Sequence, residues 1–333
     1  MMLSKDIGID LGTANVLIYV KGKGVVLNEP SVVAIERDTK KVLAVGEDAR
    51  RMIGRTPGNI VAIRPLRDGV IADFEIAETM LKHFIDRVGV RSWYSRPRIL
   101  ICAPTNITSV EQKSIRETAE HSGAKEVFLE EEPKAAAIGA GMNIYEPSGN
   151  MVIDIGGGTT DVAVLSMGDV VTASSIKVAG DQFDDAITRY IKAKYKLFIG
   201  ERTAEDIKIG IGTVRPSGRQ AEMDIRGRDM VSGLPLTITI SSGEVQEALW
   251  DAVSTIVLGA KAVLERTPPE LSADIIDRGV ILTGGGALLN GLDELLSDEL
   301  RVPVLVAEDP MHCVVKGTGI MLDHLDKVVK KRY

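Results

Sequence analysis

The sequence predicts a duplicated α/β fold, two domains of similar construction facing each other across a phosphate-binding cleft. The first observation is the stretch Val152–Val164. An apolar run around Asp154 reads as a buried strand, Gly156, Gly157 and Gly158 turn the chain where a Cβ would block close approach, and a second apolar run starts at Val162. Strand, glycine tip and strand make a hairpin whose backbone N–H groups can hold phosphate, unlike the strand-to-helix turns of P-loop and Rossmann sites. The second observation is the same device at Ile7–Val20, with Asp10 as the acid and Gly12-Thr13 as the tip. The copies lie roughly 145 residues apart, close to one domain's length. Facing each other, the hairpins would clamp a polyphosphate, with Asp10 and Asp154 aimed at its metal ion, because Mg²⁺ takes oxygen ligands and keeps several waters. The third observation is length: 333 residues suffice for two domains with cores of their own.

Composition narrows the class. The chain is 44% hydrophobic and 26% charged, as expected of a soluble globular protein. A net charge of −7 argues against a dedicated nucleic-acid binder. Cys102 and Cys313 have no ligand companions at metal-binding spacing and read as reduced, buried thiols of a cytosolic protein, and His83, His121, His312 and His324 are too scattered to make a zinc set. Met1–Lys5 runs straight into the first strand, so no signal peptide is expected. No apolar run approaches the ~20 residues that span a bilayer, so any membrane contact is expected to be peripheral.

After the first hairpin, the tight turn Lys21–Gly24 leads to short strands at Val25–Leu27 and Val32–Ile35, then to a short helix in Glu47–Arg55. Residues from Val25 to about Arg64 therefore read as a small insertion on the first core. Ile76–Val88 is an amphipathic helix with Ala77, Met80, Leu81, Phe84, Ile85 and Val88 on one face. Trp93 and Tyr94 follow among Arg91, Arg96 and Arg98 in a loop; the rings either fold back on the core or form an exposed contact. Arg98–Thr105 is a buried strand. A helix capped by Thr108 or Ser109 follows and ends near Gly123. Glu126–Leu129 is a strand, and Pro133 opens a helix whose small residues, Ala135, Ala136, Ala137 and Gly139, permit close packing between the two halves. One of the three acids before it, Glu130, Glu131 and Glu132, is placed to face the cleft.

Past the second hairpin, a helix runs through Ile187, Tyr190, Ile191 and Tyr195, and a second, capped by Thr203, through Lys208. Alternating strands at Ile225–Met230 and Leu236–Ile240 make a second small insertion. Glu244–Arg266 is the longest helix, stopped by Thr267-Pro268-Pro269. A third glycine element, Thr283-Gly284-Gly285-Gly286-Ala287, takes a buried strand into a helix and allows close approach of a flat or phosphorylated ligand. Pro303–Ala307 is a last strand, and Gly317–Asp326 a last helix.

These motifs resemble the actin, Hsp70 and sugar-kinase superfamily over essentially the whole chain. Five elements occur in the family's order: Asp10–Thr13, Glu131–Ala137, Asp154–Asp161, Thr283–Ala287 and Gly317–Gly319. Within the superfamily the chain is similar to the MreB/Mbl group of bacterial actins, on Asn28–Val33, Gly227–Pro235 and Glu265–Ile275. The resemblance implies a duplicated ribonuclease-H-like fold. Domain I would comprise 1–145 and 317–333 with a small subdomain at about 25–64; domain II would comprise 146–316 with one at about 181–243. It implies that Asp10 and Asp154 hold Mg²⁺ through waters, that Gly12, Thr13, Ala14, Asn15, Gly156, Gly157, Gly158, Thr159 and Gly180 surround the phosphates, and that Glu205 and Lys208 lie beside the ribose. Gly284, Gly285, Gly286 and Ala287 would meet the adenine, while Glu132, helped by Asp161, would position the attacking water.

The activity so implied is slow ATP hydrolysis to ADP coupled to filament assembly. The filament, in double protofilaments, would lie on the inner face of the cell membrane and guide the wall-elongation machinery and rod shape, with Trp93 and Tyr94 as a membrane contact. Some relatives carry an amphipathic helix before the first strand; here the strand starts too early for one. An Hsp70-like chaperone would need a peptide-binding domain beyond the last helix, and a sugar kinase a catalytic aspartate beside an acceptor pocket.

Overall fold

The computed structural model describes residues 6–89 and 96–331. In the first half, β1 (Ile7–Leu11), β2 (Asn15–Val20) and β3 (Gly24–Pro30) form a meander. A small unit follows: β4 (Val33–Glu36), β5 (Val42–Val45), α1 (Glu47–Arg50) and β6 (Ile60–Ile63). The short hairpin β7 (Leu66–Arg67) and β8 (Val70–Ile71) leads to α2 (Phe74–Val88), β9 (Arg98–Ala103), α3 (Ser109–His121), β10 (Glu126–Glu131) and α4 (Glu132–Gly139). The second half repeats the meander as β11 (Asn150–Ile155), β12 (Thr160–Ser166) and β13 (Asp169–Ile176). Its small unit holds α5 (Gly180–Tyr195), β14 (Leu197–Phe198), α6 (Glu201–Ile211), β15 (Glu222–Asp229) and β16 (Pro235–Ser241). Then come α7 (Ser242–Arg266), α8 (Pro269–Arg278), β17 (Val280–Thr283), α9 (Leu292–Leu300), β18 (Val304–Val306) and α10 (Cys313–Lys331).

The duplication is visible in the sheets. One has the order β10-β9-β1-β2-β3 and the other β18-β17-β11-β12-β13, with each meander antiparallel and the two added strands parallel to it. Separate apolar cores form around Ile9, Phe84 and Ile101 in the first half and around Ile153, Phe183 and Leu282 in the second. Between them lies a seam of smaller residues, including Cys102, Ala135, Ala136, Ala163 and Val314.

The seam depends on two helices touching through glycine. A Cβ on Gly139 of α4 would stand 1.8 Å from the Cys313 carbonyl oxygen, and one on Gly317 of α10 would stand 1.9 Å from that of Ala135. Backbone cannot yield as a side-chain tip can. Gly317→Ala is therefore expected to force the helices apart and destabilise the fold by about 1–3 kcal/mol or more, read by denaturant unfolding. An unchanged midpoint would mean that the seam tolerates separation.

Several boundaries differ from the sequence expectations. Gly22 and Gly24 have positive φ and fold β3 directly back on β2, so residues 25–30 belong to the main sheet and the small sheet begins at Val33. The helix expected from Gly200 is α6, whose N-cap is Gly200; Thr203 lies inside its first turn. Triple glycine leads into a single 3₁₀ turn, Gly285–Leu288, rather than an α-helix, since the backbone turns extended at Leu289. The helix α8 was not anticipated; the Pro268-Pro269 pair that stops α7 also starts it, proline being well suited to a first helical turn. The last helix begins at Cys313 rather than Gly317, since Val314 and Val315 continue its buried stripe. The two cysteines are buried and free, as expected.

The long helix α7 begins with a capping box in which Ser241 accepts from the Glu244 N–H and Glu244 accepts from the Ser241 N–H at 2.9 Å. Lys194 also donates to Glu244 at 2.8 Å, as does the Tyr195 hydroxyl. Burial alone would raise the Glu244 carboxyl, but the bonds from Lys194, Tyr195 and Ser241 outweigh it and hold it at about 2. A depressed carboxylate contributes stability above its unfolded value and loses it as pH falls. Glu244→Ala should therefore cost about 1–2 kcal/mol at neutral pH, and that deficit should shrink on acidification from about pH 5 to pH 2. A deficit independent of pH would leave only a packing role.

Candidate functional site

The two glycine hairpins meet tip to tip. A Cβ on Gly157 would lie 2.6 Å from Ala14 Cβ, and one on Gly158 2.5 Å from Thr13 Oγ1, so these positions must lack side chains for the halves to close. Their internal bonding is equivalent. Gly12 N–H donates to Asn15 O at 3.1 Å and Gly156 N–H to Thr159 O at 2.9 Å, closing each turn. The next two N–H groups in each, Thr13 and Ala14, Gly157 and Gly158, have no acceptor among the described residues. Four N–H donors without an acceptor among the described residues thus belong to two adjoining tips that line one cleft, a combination suited to an oligophosphate. Gly12 and Gly156 serve the turns with their own N–H groups. Thr13 is fixed in addition by accepting from Gly69 N–H at 2.9 Å.

Around the tips lies a cleft of about 450 Å³. Asp10, Gly12, Thr13, Ala14, Asn15, Glu132, Asp154, Gly156, Gly157, Gly158, Thr159, Gly180, Glu205, Lys208, Gly284, Gly285 and Gly286 all line it. Two expected site residues do not. Asp161 is wholly buried behind the hairpin, and Ala287 packs into the second core. Both lie one residue or one strand away from the cleft wall, which the linear motif does not distinguish. Trp93 and Tyr94 lie outside the described residues.

The carboxylates are gathered by register. Asp10 sits beside Cys102 of β9, and Asp154 beside Thr283 of β17 and opposite Asp161 of β12. Burial, then the charge of Asp154, pushes Asp10 up to about 7. Burial raises Asp154 to about 6 against the opposing Thr283 hydroxyl, which donates to Oδ1 at 2.7 Å. Burial also carries Asp161 to about 7, although Thr105 N–H donates to its Oδ1 at 2.8 Å. Glu132, at the first turn of α4, is raised well above the usual range by burial and by Asp161, Asp10 and Asp154. Asp161 Oδ2 is buried without a hydrogen-bond partner. Such a group of acids calls for a cation. Among the described residues no three acidic, cysteine or histidine side chains are grouped to ligate one ion directly. Asp10 and Asp154, whose carboxylates line the cleft from its two halves, fit an ion that takes oxygen ligands and keeps several waters, as Mg²⁺ does.

Where α5 and α6 border the cleft, Lys208 donates to Asp184 Oδ2 at 2.9 Å and to Gly180 O at 3.1 Å, and Arg50 reaches Glu205 at 3.3 Å. The triple glycine divides its duties. A Cβ on Gly284 or Gly286 would strike Ile155, whereas Gly285 faces open space, so only Gly285 offers bare backbone to a flat ring. Exposed Ile209, Leu288 and Met311 complete an apolar wall there. Sequence reading did not find these, nor Arg50 and Arg64 on the opposite lip, because none belongs to a glycine motif. The only sequence signal was helical spacing, which puts Ile209 one turn from Glu205.

A family model described as MreB/Mbl protein matches residues 4–330. The chain is 73% identical to the cell shape-determining protein Mbl of Bacillus cereus over 99% of both chains. It is 54% identical to the cell shape-determining protein MreB of Escherichia coli, over 98% of this chain and 95% of that one. The crystal structure of MreB 5 of Spiroplasma citri bound to AMPPNP superposes with a TM-score of 0.94 at 43% identity, covering 100% of both chains. The actin-like architecture of two α/β halves is the one expected. With its paired glycine hairpins, clustered acids and full-length match, the chain belongs to the MreB/Mbl family of bacterial actins.

Proposed function

We propose that this chain binds Mg-ATP in the cleft, hydrolyses it slowly, and couples that cycle to assembly of cytoskeletal filaments that determine cell shape. The observation that carries the reading is that two abutting hairpin tips bring four N–H donors, without acceptors among the described residues, to a cleft that buried carboxylates also line. Thr13, Ala14, Gly157 and Gly158 would grip the phosphates, Gly285 and the apolar wall would take the adenine, and Glu205 with Lys208 would flank the ribose. Asp10 and Asp154 would hold the ion's water shell, and the ion would spread the charge that develops on the phosphates. Glu132 would orient the attacking water. Asp161, fully buried on β12 opposite Asp154, would assist Glu132 in positioning that water. No covalent nucleophile is required, since phosphoryl transfer to water depends on positioning and fixed charge.

The shape-determining names of the relatives and the AMPPNP carried by the Spiroplasma protein support this reading. Its finer parts are self-assembly into paired protofilaments, peripheral placement on the inner face of the membrane, and partnership with the wall-elongation machinery. The described residues contain no helix long and apolar enough to cross a membrane. Trp93 and Tyr94, with Arg91 near them in the sequence, have the composition of a segment that enters anionic headgroups, whereas Arg98 is held in β9 by its pair with Asp6 at 2.6 Å. Filaments would multiply such weak contacts. Sedimentation tests both levels. The protein should pellet with Mg-ATP, and should float with anionic liposomes when polymerised. A Trp93→Ser, Tyr94→Ser double variant should still pellet but lose the liposomes. Failure of the parent to pellet would sink the filament reading, and liposome binding by the variant would sink the loop.

A further inference from the structure

Two arginines of the first half reach across the mouth of the cleft to acids of the second. Arg64, just after β6, bonds Asp181 Oδ1 through Nη1 at 2.9 Å and Glu201 through Nη2. Arg50 of α1 bonds Glu205 at 3.3 Å. Glu201 and Glu205 are one turn apart on α6 and so share a face, the one turned to the arginines. All five side chains line the nucleotide cleft.

On this basis we propose that Arg64, seconded by Arg50, is a latch that must open for nucleotide to enter or leave, and so sets the exchange rate. The inference rests on the nucleotide reading of the cleft. Three features make these contacts a latch rather than general surface pairing. They are charged contacts between the two small units, and they line the cleft rather than the small-residue seam that joins the halves. Asp181 is bound to the phosphate site as well, its N–H donating to Gly157 O at 2.8 Å, so Arg64 ties the opposite lip to the second hairpin. Arg64 Nε is buried with no hydrogen-bond partner, so closure leaves a donor unsatisfied and the closed state is less than fully favoured. Arg64 is only a quarter exposed, which limits screening by salt, while Glu201 is about half exposed and free to swing away.

A latch closed in both free and loaded protein raises the barrier to passage without changing the end states. Arg64→Ala should therefore speed association and release of a fluorescent ADP analogue by similar factors, about 5–10-fold for two partly exposed ion pairs, and leave Kd nearly unchanged. The rates would be followed by stopped flow on full-length protein kept below its assembly concentration. Glu201→Gln, an exposed change at a helix start, should give a smaller acceleration in the same sense and little further effect on top of Arg64→Ala. Unaltered rates in both variants would overturn the latch. So would faster release with unchanged or slower association, which would make Arg64 a direct ligand or a scaffold residue. If Arg64→Ala does not fold, Glu201→Gln alone decides. If the parent binds no nucleotide, it is the nucleotide reading that fails.

Discussion

Glu132→Ala is expected to bind ATP within a few-fold of the parent yet hydrolyse it about 10²–10⁴-fold more slowly, the usual contribution of a group that assists proton transfer in the transition state. Glu132 is 7% exposed, opens α4 at the floor of the cleft, and is held above the ordinary carboxylate range by burial and by three acidic neighbours. A buried acid so placed gains nothing for the fold, since its charged form is penalised and its removal relieves repulsion. The variant should therefore be no less stable than the parent. Single-turnover phosphate release, with binding measured separately, would check this. Parallel losses of affinity and rate, or a drop in melting temperature, would make Glu132 a structural residue. Glu130 pairs with Lys134 at 3.4 Å outside the buried group of acids; Glu130→Ala serves as the control.

The second large effect is expected at Asp154. Asp154→Ala should weaken Mg-ATP binding by at least about tenfold, while binding of ATP in a chelator stays level or improves, because a carboxylate aimed at phosphate is repulsive unless a cation stands between them. The pH dependence has the same origin. Asp154 titrates at about 6 and Asp10 at about 7 before any cation arrives. Both must lose their protons to oppose the ion, so Mg-ATP affinity in the parent should fall as pH drops through about 8 to 5 and be flat above it. Isothermal titration at several pH values should also record proton release on binding. A variant that binds Mg-ATP as tightly as the parent, or a parent whose affinity ignores pH in that window, would remove the metal from this site.

Much of this molecule was determined by local sequence. The hairpins at Asp10 and Asp154 were legible because alternating apolar runs broken by glycine have one economical solution, and the helices at 76–88 and 244–266 because their apolar stripes have helical spacing. Asp10, Gly12, Thr13, Asp154, Gly156, Gly157 and Gly158 followed from those hairpins, whereas Glu132, Glu205 and Lys208 came from the family resemblance, and all of them line the cleft. What tertiary structure decided concerns groups whose role is set by a neighbour distant in the chain. That Gly157 and Gly158 are needed to meet Ala14 and Thr13, rather than only to turn, depends on the halves closing. That Ala287 faces the core while Gly285 faces the cleft depends on where Ile155 lies. The burial that moves four carboxylates, and the reach of Arg50 and Arg64 to acids more than a hundred residues away, arise only when two separate cores are brought together over a seam of small side chains. Local pattern fixes φ, ψ and which face is apolar; desolvation and long-range pairing are properties of the assembled volume, and no window of sequence contains them.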